Sequence, residues 1–436
     1  MTEIHKITME KDLKIGIIGL GYVGFPLACL FAQKYPVTGF DVKKERVQEL
    51  NNGTDSTLEV SEQAIASALE KGMRCTADKD ELRSCNVYVV AVPTPVDERR
   101  NPELSPLKSA CRLVGEVISE RNVVIFESTV YPGTTEEVCA PIIELISGLK
   151  LNEGFFLGYS PERVNPGDKE HTVDKILKIT SGSTRETADF VDRLYNSVLK
   201  NGTHRAPSIK VAEAAKILEN TQRDVNIALM NEVAMIFNAL QINTQDVLAA
   251  AGTKWNFQRF SPGLVGGHCI SVDPYYLIDK AMSKGVVPRI IIEARRVNDG
   301  MGSYVADRVV QCMNHKGLTV YNAHILLLGF TFKENCPDIR NTKVSDIYRS
   351  LRAYTPFIRI YDPWVKADDA AREYGLVVET GSEAVSAVTY DAIVLCVNHT
   401  CFQNMPVEKL LRPEGVLKDG KGKIKTPLVT ERIRKR

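Results

Sequence analysis

One cysteine in this chain stands in surroundings that suit a nucleophile. Cys269 falls within Gly263-Leu264-Val265-Gly266-Gly267-His268-Cys269-Ile270-Ser271-Val272-Asp273. Three glycines let such a loop fold tightly against a ligand, and Asp273 shares a face with Cys269 if a helix starts there. A thiol so placed fits covalent catalysis. His268 is at hand to help hold a thiolate, although a lone histidine is more often structural. The other nine cysteines, at 29, 75, 85, 111, 139, 312, 336, 396 and 401, read as small buried hydrophobes. No CxxC pair or Cys/His ligand spacing occurs, so neither a metal site nor a disulfide framework is expected.

A second chemical signal is Gly19-Leu20-Gly21-Tyr22-Val23-Gly24, with Asp41 about 20 residues further on. In a strand–turn–helix setting, Gly21 lets the backbone approach a pyrophosphate and the helix N-terminus supplies N–H groups and positive dipole. Asp41 can accept from both ribose hydroxyls and would repel a 2′-phosphate, which favours NAD over NADP; Lys43 and Arg46 nearby weaken that preference. Further along, Glu213, Lys216 and Asn220 lie at i, i+3 and i+7 and share one helical face, with Asp224, Asn231 and Glu232 extending the polar set. Two readings of that face are open: a solvated surface, which spacing alone favours, or one wall of a cleft in which Lys216 neutralises an oxyanion and Asn220 donates to it. Glu127-Ser128-Thr129 and Ser160-Pro161-Glu162-Arg163 each follow an expected strand, where Thr129 and Glu162 would position a water or simply cap a turn.

These residues need elements to hold them. Leu13 to Gly19 reads as a buried strand, Tyr22 to Gln33 as a helix and Pro36 to Asp41 as a second strand, a βαβ opening. Further strands are expected at Val87 to Val92, Val123 to Glu127 and Phe155 to Tyr159, as in a doubly wound parallel sheet ending near residue 205. Ser208 to about Leu240 has no Gly or Pro and predicts a helix of roughly 45 Å. Beyond residue 323 the opening is echoed: ILLLGF resembles GIIGLG, IRIYDP resembles VTGFDV and AIVLCVNH resembles VYVVAVPT. The fold class expected is therefore α/β, with two Rossmann-like doubly wound domains joined by a long central helix. The divisions are residues 1–207, 208–310 and 311–436. Phe330-Thr331-Phe332-Lys333 and Arg340-Asn341-Thr342-Lys343 put aromatic and basic groups at a strand end of the last domain, as a base and a diphosphate require.

The chain's 436 residues suit two or three domains, and 44% apolar with 25% charged residues exclude a disordered or fibrous chain. With 55 basic against 54 acidic residues there is no global field for nucleic acid or an anionic membrane, so neither partner is expected. The apolar run Ile15 to Ala32 imitates a membrane span or signal core, but its crowded glycines and Pro26 argue against that, and a cytoplasmic location with reduced thiols is expected.

Taken together, GLGYVGFPLA, VPTP, ESTVYPGTT, SPERVNPGD, KVAEAAKILENTQRDVNIALMNE, GLVGGHCISVDPYYL and GFTFKENCPDIRNTK resemble the UDP-sugar 6-dehydrogenases, which oxidise the sugar C6 hydroxymethyl of a nucleotide sugar to a carboxylate with two NAD⁺. SPERVNPG, VGGHC and VDPYYL resemble the branch acting on UDP-N-acetylhexosamines in bacterial surface-polysaccharide synthesis. The resemblance implies UDP-GlcNAc as substrate, then UDP-GalNAc, with UDP-ManNAc or UDP-glucose as alternatives. It implies that Cys269 attacks the aldehyde to give a thiohemiacetal and then a thioester, that Thr129, Glu162 and Asp273 place the hydrolytic water, and that Lys216 and Asn220 hold the oxyanion. Gly19, Gly21, Tyr22, Val23, Gly24, Asp41, Arg46, Pro93, Thr94, Ser128 and Thr129 would bind NAD. Glu162, Arg163, Val164, Lys210, Lys216, Asn220, Phe260, Gly263, Gly266, Lys333 and Arg340 would bind the UDP-sugar between the domains, and the central helix would pair in a homodimer. Some UDP-glucose members carry a second acidic residue after SPE where this chain has Pro166, so no role for a second carboxylate carries over. The competing activities are a two-electron dehydrogenase of the hydroxy-acid type, which needs no thiol, and an NAD sensor without turnover. The basic, Gly-rich tail from Leu411 departs from the family's last strand and is assigned no role.

Overall fold

The structure is a computed structural model and describes residues 13–163 and 173–419. The chain divides into two compact units. The first takes in the chain up to Glu219 together with Tyr275–Val286; the second holds Asn220–Pro274 and the chain from Val287 onward.

The first unit is built on an eight-stranded sheet: β1 (Ile15–Ile18), β2 (Val37–Phe40), β3 (Arg74–Thr76), β4 (Val87–Val90), β5 (Asn122–Phe126), β6 (Phe155–Tyr159), β7 (Lys178–Gly182) and β8 (Thr203–Arg205), in the order β3-β2-β1-β4-β5-β6-β7-β8. The six strands from β3 to β6 run parallel, and β7 turns antiparallel to β6. Strands β1, β4, β5 and β6 are buried along their whole length, which is why they read as continuous apolar runs rather than alternating ones. The run that imitated a membrane span is cut by its glycines into β1, a turn and helix α1 (Gly24–Phe31). No helix among the described residues is long and apolar enough to cross a membrane.

The long helix α2 spans Ile209–Ala239, 31 residues, and the boundary between the two units falls inside it. Helix α3 (Asp273–Ser283) and helix α4 (Arg289–His315) follow.

The second unit carries β9 (Ile325–Leu328), β10 (Ile358–Tyr361), β11 (Tyr390–Leu395) and β12 (Leu411–Asp419), all parallel in the order β10-β9-β11-β12. Alternate residues of this sheet feed separate cores on its two faces: Ile325 and Leu327 one, Leu326 and Leu328 the other. The tail from Leu411, which departs from the family's last strand in sequence and was assigned no role, supplies the last strand of this sheet as far as Asp419. Val416 and Leu417 are buried, and β12 pairs with β11 across a register shift near Tyr390.

The internal echo is real and topological, since β10-β9-β11-β12 repeats β2-β1-β4-β5. It extends to backbone detail. Gly19 and Gly329, each following the first strand of its sheet, have φ of +93° and +91°. Asp41 and Asp362, each following the second strand, accept a hydrogen bond from the residue after that glycine: Leu20 N at 2.9 Å and Phe330 N at 2.6 Å.

Candidate active site

In the first unit the turn after β1 is shaped by contact. A Cβ on Gly24 would lie 1.8 Å from Gly19 O, and one on Gly19 would lie 2.9 Å from Ala91 O, so both positions exclude side chains. A Cβ on Gly21 would meet nothing within 4 Å; that glycine faces open space. Val23 occupies the N-cap of α1 and no side chain caps the helix, which suits an anion at its first turn. Asp41 accepts from Leu20 N and Lys43 N, each at 2.9 Å, and stays half-buried. Arg46, expected beside the cofactor, is tied to this turn. Its Nε donates to Leu20 O at 2.9 Å, and its other nitrogens pair with Asp55 at 2.7 Å and Glu49 at 2.9 Å. The guanidinium therefore braces the turn and is already neutralised, which leaves little charge for a 2′-phosphate. The twin position cannot serve in the same way. Asp362 is fully buried and accepts from Phe330 N, Thr331 N and His399 Nε2, and Phe-Thr-Phe replaces the glycine-rich turn. Burial raises the Asp362 carboxyl, but these donors outweigh it and hold it below its ordinary range.

At the carboxyl ends of β4 and β5, Thr94 Oγ1 donates to Thr129 O at 2.7 Å and Ser128 Oγ to Val92 O at 2.6 Å, which gathers Pro93, Thr94, Ser128 and Thr129 beside the glycine turn in sheet order. Tyr22 and Val23 lie half-buried in that turn. Glu162 follows β6, its side chain 12% exposed. Arg163 pairs with Glu219 at 2.8 Å and donates to Leu177 O at 2.6 Å. Val164 lies outside the described residues. Lys210 is exposed and pairs with Glu137 at 2.9 Å, so the structure places it on a solvated stretch of α2.

The reading of the Glu213, Lys216 and Asn220 face as solvated is overturned: all three are buried, at 0%, 6% and 5% exposure. Glu213 accepts from Gly133 N at 2.5 Å and Thr135 N at 2.9 Å. Burial nonetheless pushes its carboxyl up to about 7, against the pull of those two N–H groups. A residue set that sequence spacing missed lies beneath Glu162. Lys178 Nζ sits 2.6 Å from Glu127 Oε2, 3.2 Å from Pro161 O and 3.9 Å from Glu162, and Tyr195 OH donates to Glu127. Lys178 and Tyr195 are fully buried and Glu127 is 1% exposed. Burial pushes the Glu127 carboxyl up to about 7 although Lys178 opposes it. A lysine inside an otherwise buried strand was the available signal.

In the second unit Asn220 Nδ2 donates to Asp273 Oδ2 at 2.5 Å, which joins two of the expected catalytic residues. Helix α3 begins at Asp273 and not at Cys269: Asp273 N and Val272 N both donate to Cys269 O, at 2.9 and 3.1 Å, in a turn that leads into the helix. Cys269 is half-buried there. Burial, then the nearby Arg340 charge, push His268 down to about 4, so near neutrality it carries no charge with which to hold a thiolate. The loop's start is gripped by Asn231, whose amide accepts from Gly263 N at 2.8 Å and donates to Gly263 O at 3.0 Å. Asn231 also bonds Asn298, which with Arg295 encloses the buried Asp224. Arg340 is held by Asp338 through Nε at 2.9 Å and Nη2 at 2.5 Å, an internal partner not foreseen for a diphosphate ligand. Lys333 and Phe260 are half-buried. A cavity of about 560 Å³ is lined by Gly263, Leu264, Asn238, Tyr304, Arg308 and Lys418; it includes Gly263 but neither Lys333 nor Arg340.

A parallel sheet in the order 3-2-1-4-5-6, with this glycine turn after β1 and this aspartate after β2, defines a dinucleotide-binding protein of the dehydrogenase type. The chain belongs to the UDP-glucose/GDP-mannose dehydrogenase family: residues 13–199 match the family's NAD binding domain, 210–300 its central domain and 326–426 its UDP binding domain. It is 55% identical to the UDP-N-acetyl-D-glucosamine 6-dehydrogenase of Pseudomonas aeruginosa over 94% of this chain and 96% of that one. It is 50% identical to the enzyme of the same name from Salmonella typhi, over 92% and 93%. The UDP-D-ManNAc dehydrogenase structure from Pyrococcus horikoshii superposes with a TM-score of 0.86 at 31% identity, covering 96% of this chain and 97% of that one. The protein is thus an NAD-dependent UDP-sugar dehydrogenase.

Proposed function

We propose that this protein oxidises the C6 hydroxymethyl of a UDP-N-acetylhexosamine, UDP-GlcNAc first and UDP-GalNAc next, to the uronate. One alcohol, one water and two NAD⁺ give one carboxylate, two NADH and three protons. The reading is supported by the two relatives named for UDP-N-acetyl-D-glucosamine and carried by one observation: the half-buried Cys269 closes a loop clamped at Gly263 and Gly267, in the turn that ends at Asp273. Bound NAD⁺ accepts hydride; Gly19, Gly21, Gly24 and Asp41 would hold it, with Tyr22, Val23, Pro93, Thr94, Ser128 and Thr129 beside it.

On this reading Cys269 attacks the C6 aldehyde, and the tethered intermediate is oxidised to a thioester that water hydrolyses. Thr129, Glu162 and Asp273 handle the water, Asn220 orients Asp273, and Lys216 stabilises the oxyanion. Loss of one such donor costs on the order of a hundredfold in rate. Arg163, Val164, Lys210, Phe260, Gly263, Gly266, Lys333 and Arg340 are the proposed UDP-sugar contacts. The enzyme acts in the cytoplasm as a homodimer paired through α2. There Val211, Leu218, Leu229 and Ile236, spaced 7, 11 and 7 residues apart, form an exposed apolar stripe on one helical face.

The test is NADH yield at 340 nm with UDP-GlcNAc, UDP-GalNAc, UDP-ManNAc and UDP-glucose. Two NADH per molecule and the highest kcat/KM with UDP-GlcNAc are expected. One NADH per sugar with every substrate would mark a two-electron dehydrogenase, and none at all a sensor. For the cofactor, Asp41→Asn should raise KM for NAD about tenfold or more and narrow the preference over NADP, since the variant no longer repels a 2′-phosphate. An unchanged NAD/NADP ratio would remove Asp41 from the site.

A further inference from the structure

The paired glycines before Cys269 are explained inside the second unit. A Cβ on Gly266 would come 2.8 Å from Asn341 O and 3.1 Å from Phe332 Cβ. On Gly267, whose φ is +83°, it would come 2.7 Å from the Phe332 ring. The segments carrying Phe332 and Asn341 therefore press directly on the loop. Hydrogen bonds lock the contact: Gly267 N donates to Arg340 O at 3.1 Å, and Asn341 Nδ2 donates to Gly267 O at 2.9 Å, where Ser271 Oγ also donates at 2.5 Å. Asn341 holds φ of +52°, a conformation asparagine tolerates better than most residues.

We propose that Asn341 is a positioning residue for the reaction: by pinning the Gly267 peptide it fixes the main chain two residues before Cys269 and aims the thiol. The inference rests on the assignment of Cys269 as nucleophile. Asn341 would affect the steps that need the sulfur far more than substrate binding, because it acts through Gly267. A misplacement of about 1 Å costs up to about a hundredfold in rate.

Two variants test this with UDP-GlcNAc and NAD. Asn341→Gly keeps the left-handed backbone and removes the amide. Asn341→Asp keeps size and backbone but sets a carboxylate against Gly267 O, a contact that protonation restores. For Asn341→Gly, kcat for uronate should fall about 10- to 100-fold with KM for UDP-GlcNAc within about threefold. NADH yield should drop below two per sugar as aldehyde escapes to a carbonyl trap, and iodoacetamide labelling of Cys269 should change in rate by several-fold. Asn341→Asp should lose more at pH 8 and recover relative to wild type as pH falls towards 5. A merely structural residue would leave NADH yield per sugar at two in both variants. Cys269→Ala is run in parallel. If it still forms uronate, the nucleophile assignment fails. If it does not, and both Asn341 variants match wild type in turnover, yield and labelling, the positioning role fails alone.

Discussion

Cys269→Ala is expected to abolish uronate formation, with kcat for the carboxylate down by about a thousandfold or more and KM for UDP-GlcNAc within a few-fold of wild type. The thiol's proposed work is to capture an aldehyde and carry it through the second oxidation, so its loss removes interactions made only along the reaction path. Groups that bind the nucleotide are left in place, hence the small KM effect. NADH yield in a single-turnover assay should fall from two per sugar towards one or below, with any aldehyde recoverable by a carbonyl trap. Two NADH per sugar at an unimpaired rate from the alanine variant would end the covalent mechanism. His268 gives no alternative route to an activated thiol. Burial keeps its imidazole near 4, so at working pH it is a neutral ring packed in the loop.

How much of this was readable in the sequence depends on the kind of signal. Fully buried parallel strands write themselves as apolar runs, so β1, β4, β5 and β6 were placed to within about two residues, and the β2-β1-β4 part of the repeat was visible in three short strand echoes, β12 being the member they left out. Spacing also put Glu213, Lys216 and Asn220 on one face of α2. A face, however, does not say what covers it, and burial of all three appears only in the fold. The same limit hid Arg340: its partner Asp338 is two residues away, a pairing set by loop geometry and not by helical or strand period. The start of α3 was left conditional in the sequence, because a carboxylate at a helix N-terminus and a carboxylate one turn inside it look alike until the turn itself is seen. The twin aspartates Asp41 and Asp362 make the point most sharply. Equivalent in sequence echo and in backbone role, they are separated by His399, a residue far along the chain that buries one of them.

The Lys178–Glu127 pair was not foreseen at all, and it makes a prediction about stability that also reaches Glu162. Lys178→Met should destabilise the protein by an amount that depends strongly on pH. In the native protein burial raises the Glu127 carboxyl to about 7, above its ordinary value of 4.5, so the folded state holds this proton more tightly than the unfolded one. That contribution is complete below about 4.5 and is lost as pH rises through about 7. Above 7 the carboxylate is tolerable because Lys178 Nζ lies 2.6 Å away and Tyr195 donates to it. Methionine removes the cation and keeps the volume, so Glu127 must either remain a buried uncompensated charge or hold its proton to still higher pH. Breaking a buried pair on one side typically costs about 3–5 kcal/mol, and that cost should appear near pH 8.5 and shrink to about 1 kcal/mol or less near pH 5.5, where the carboxyl is neutral. Urea midpoints at the two pH values measure it. Adding Glu127→Gln to Lys178→Met should restore most of the stability at pH 8.5, since the double variant buries no charge at this place. Equal losses at both pH values would show that Lys178 acts through packing and not through charge. Because the same amine stands 3.9 Å from Glu162, the single variant should also lower turnover at alkaline pH, and the double variant should recover stability without recovering that activity.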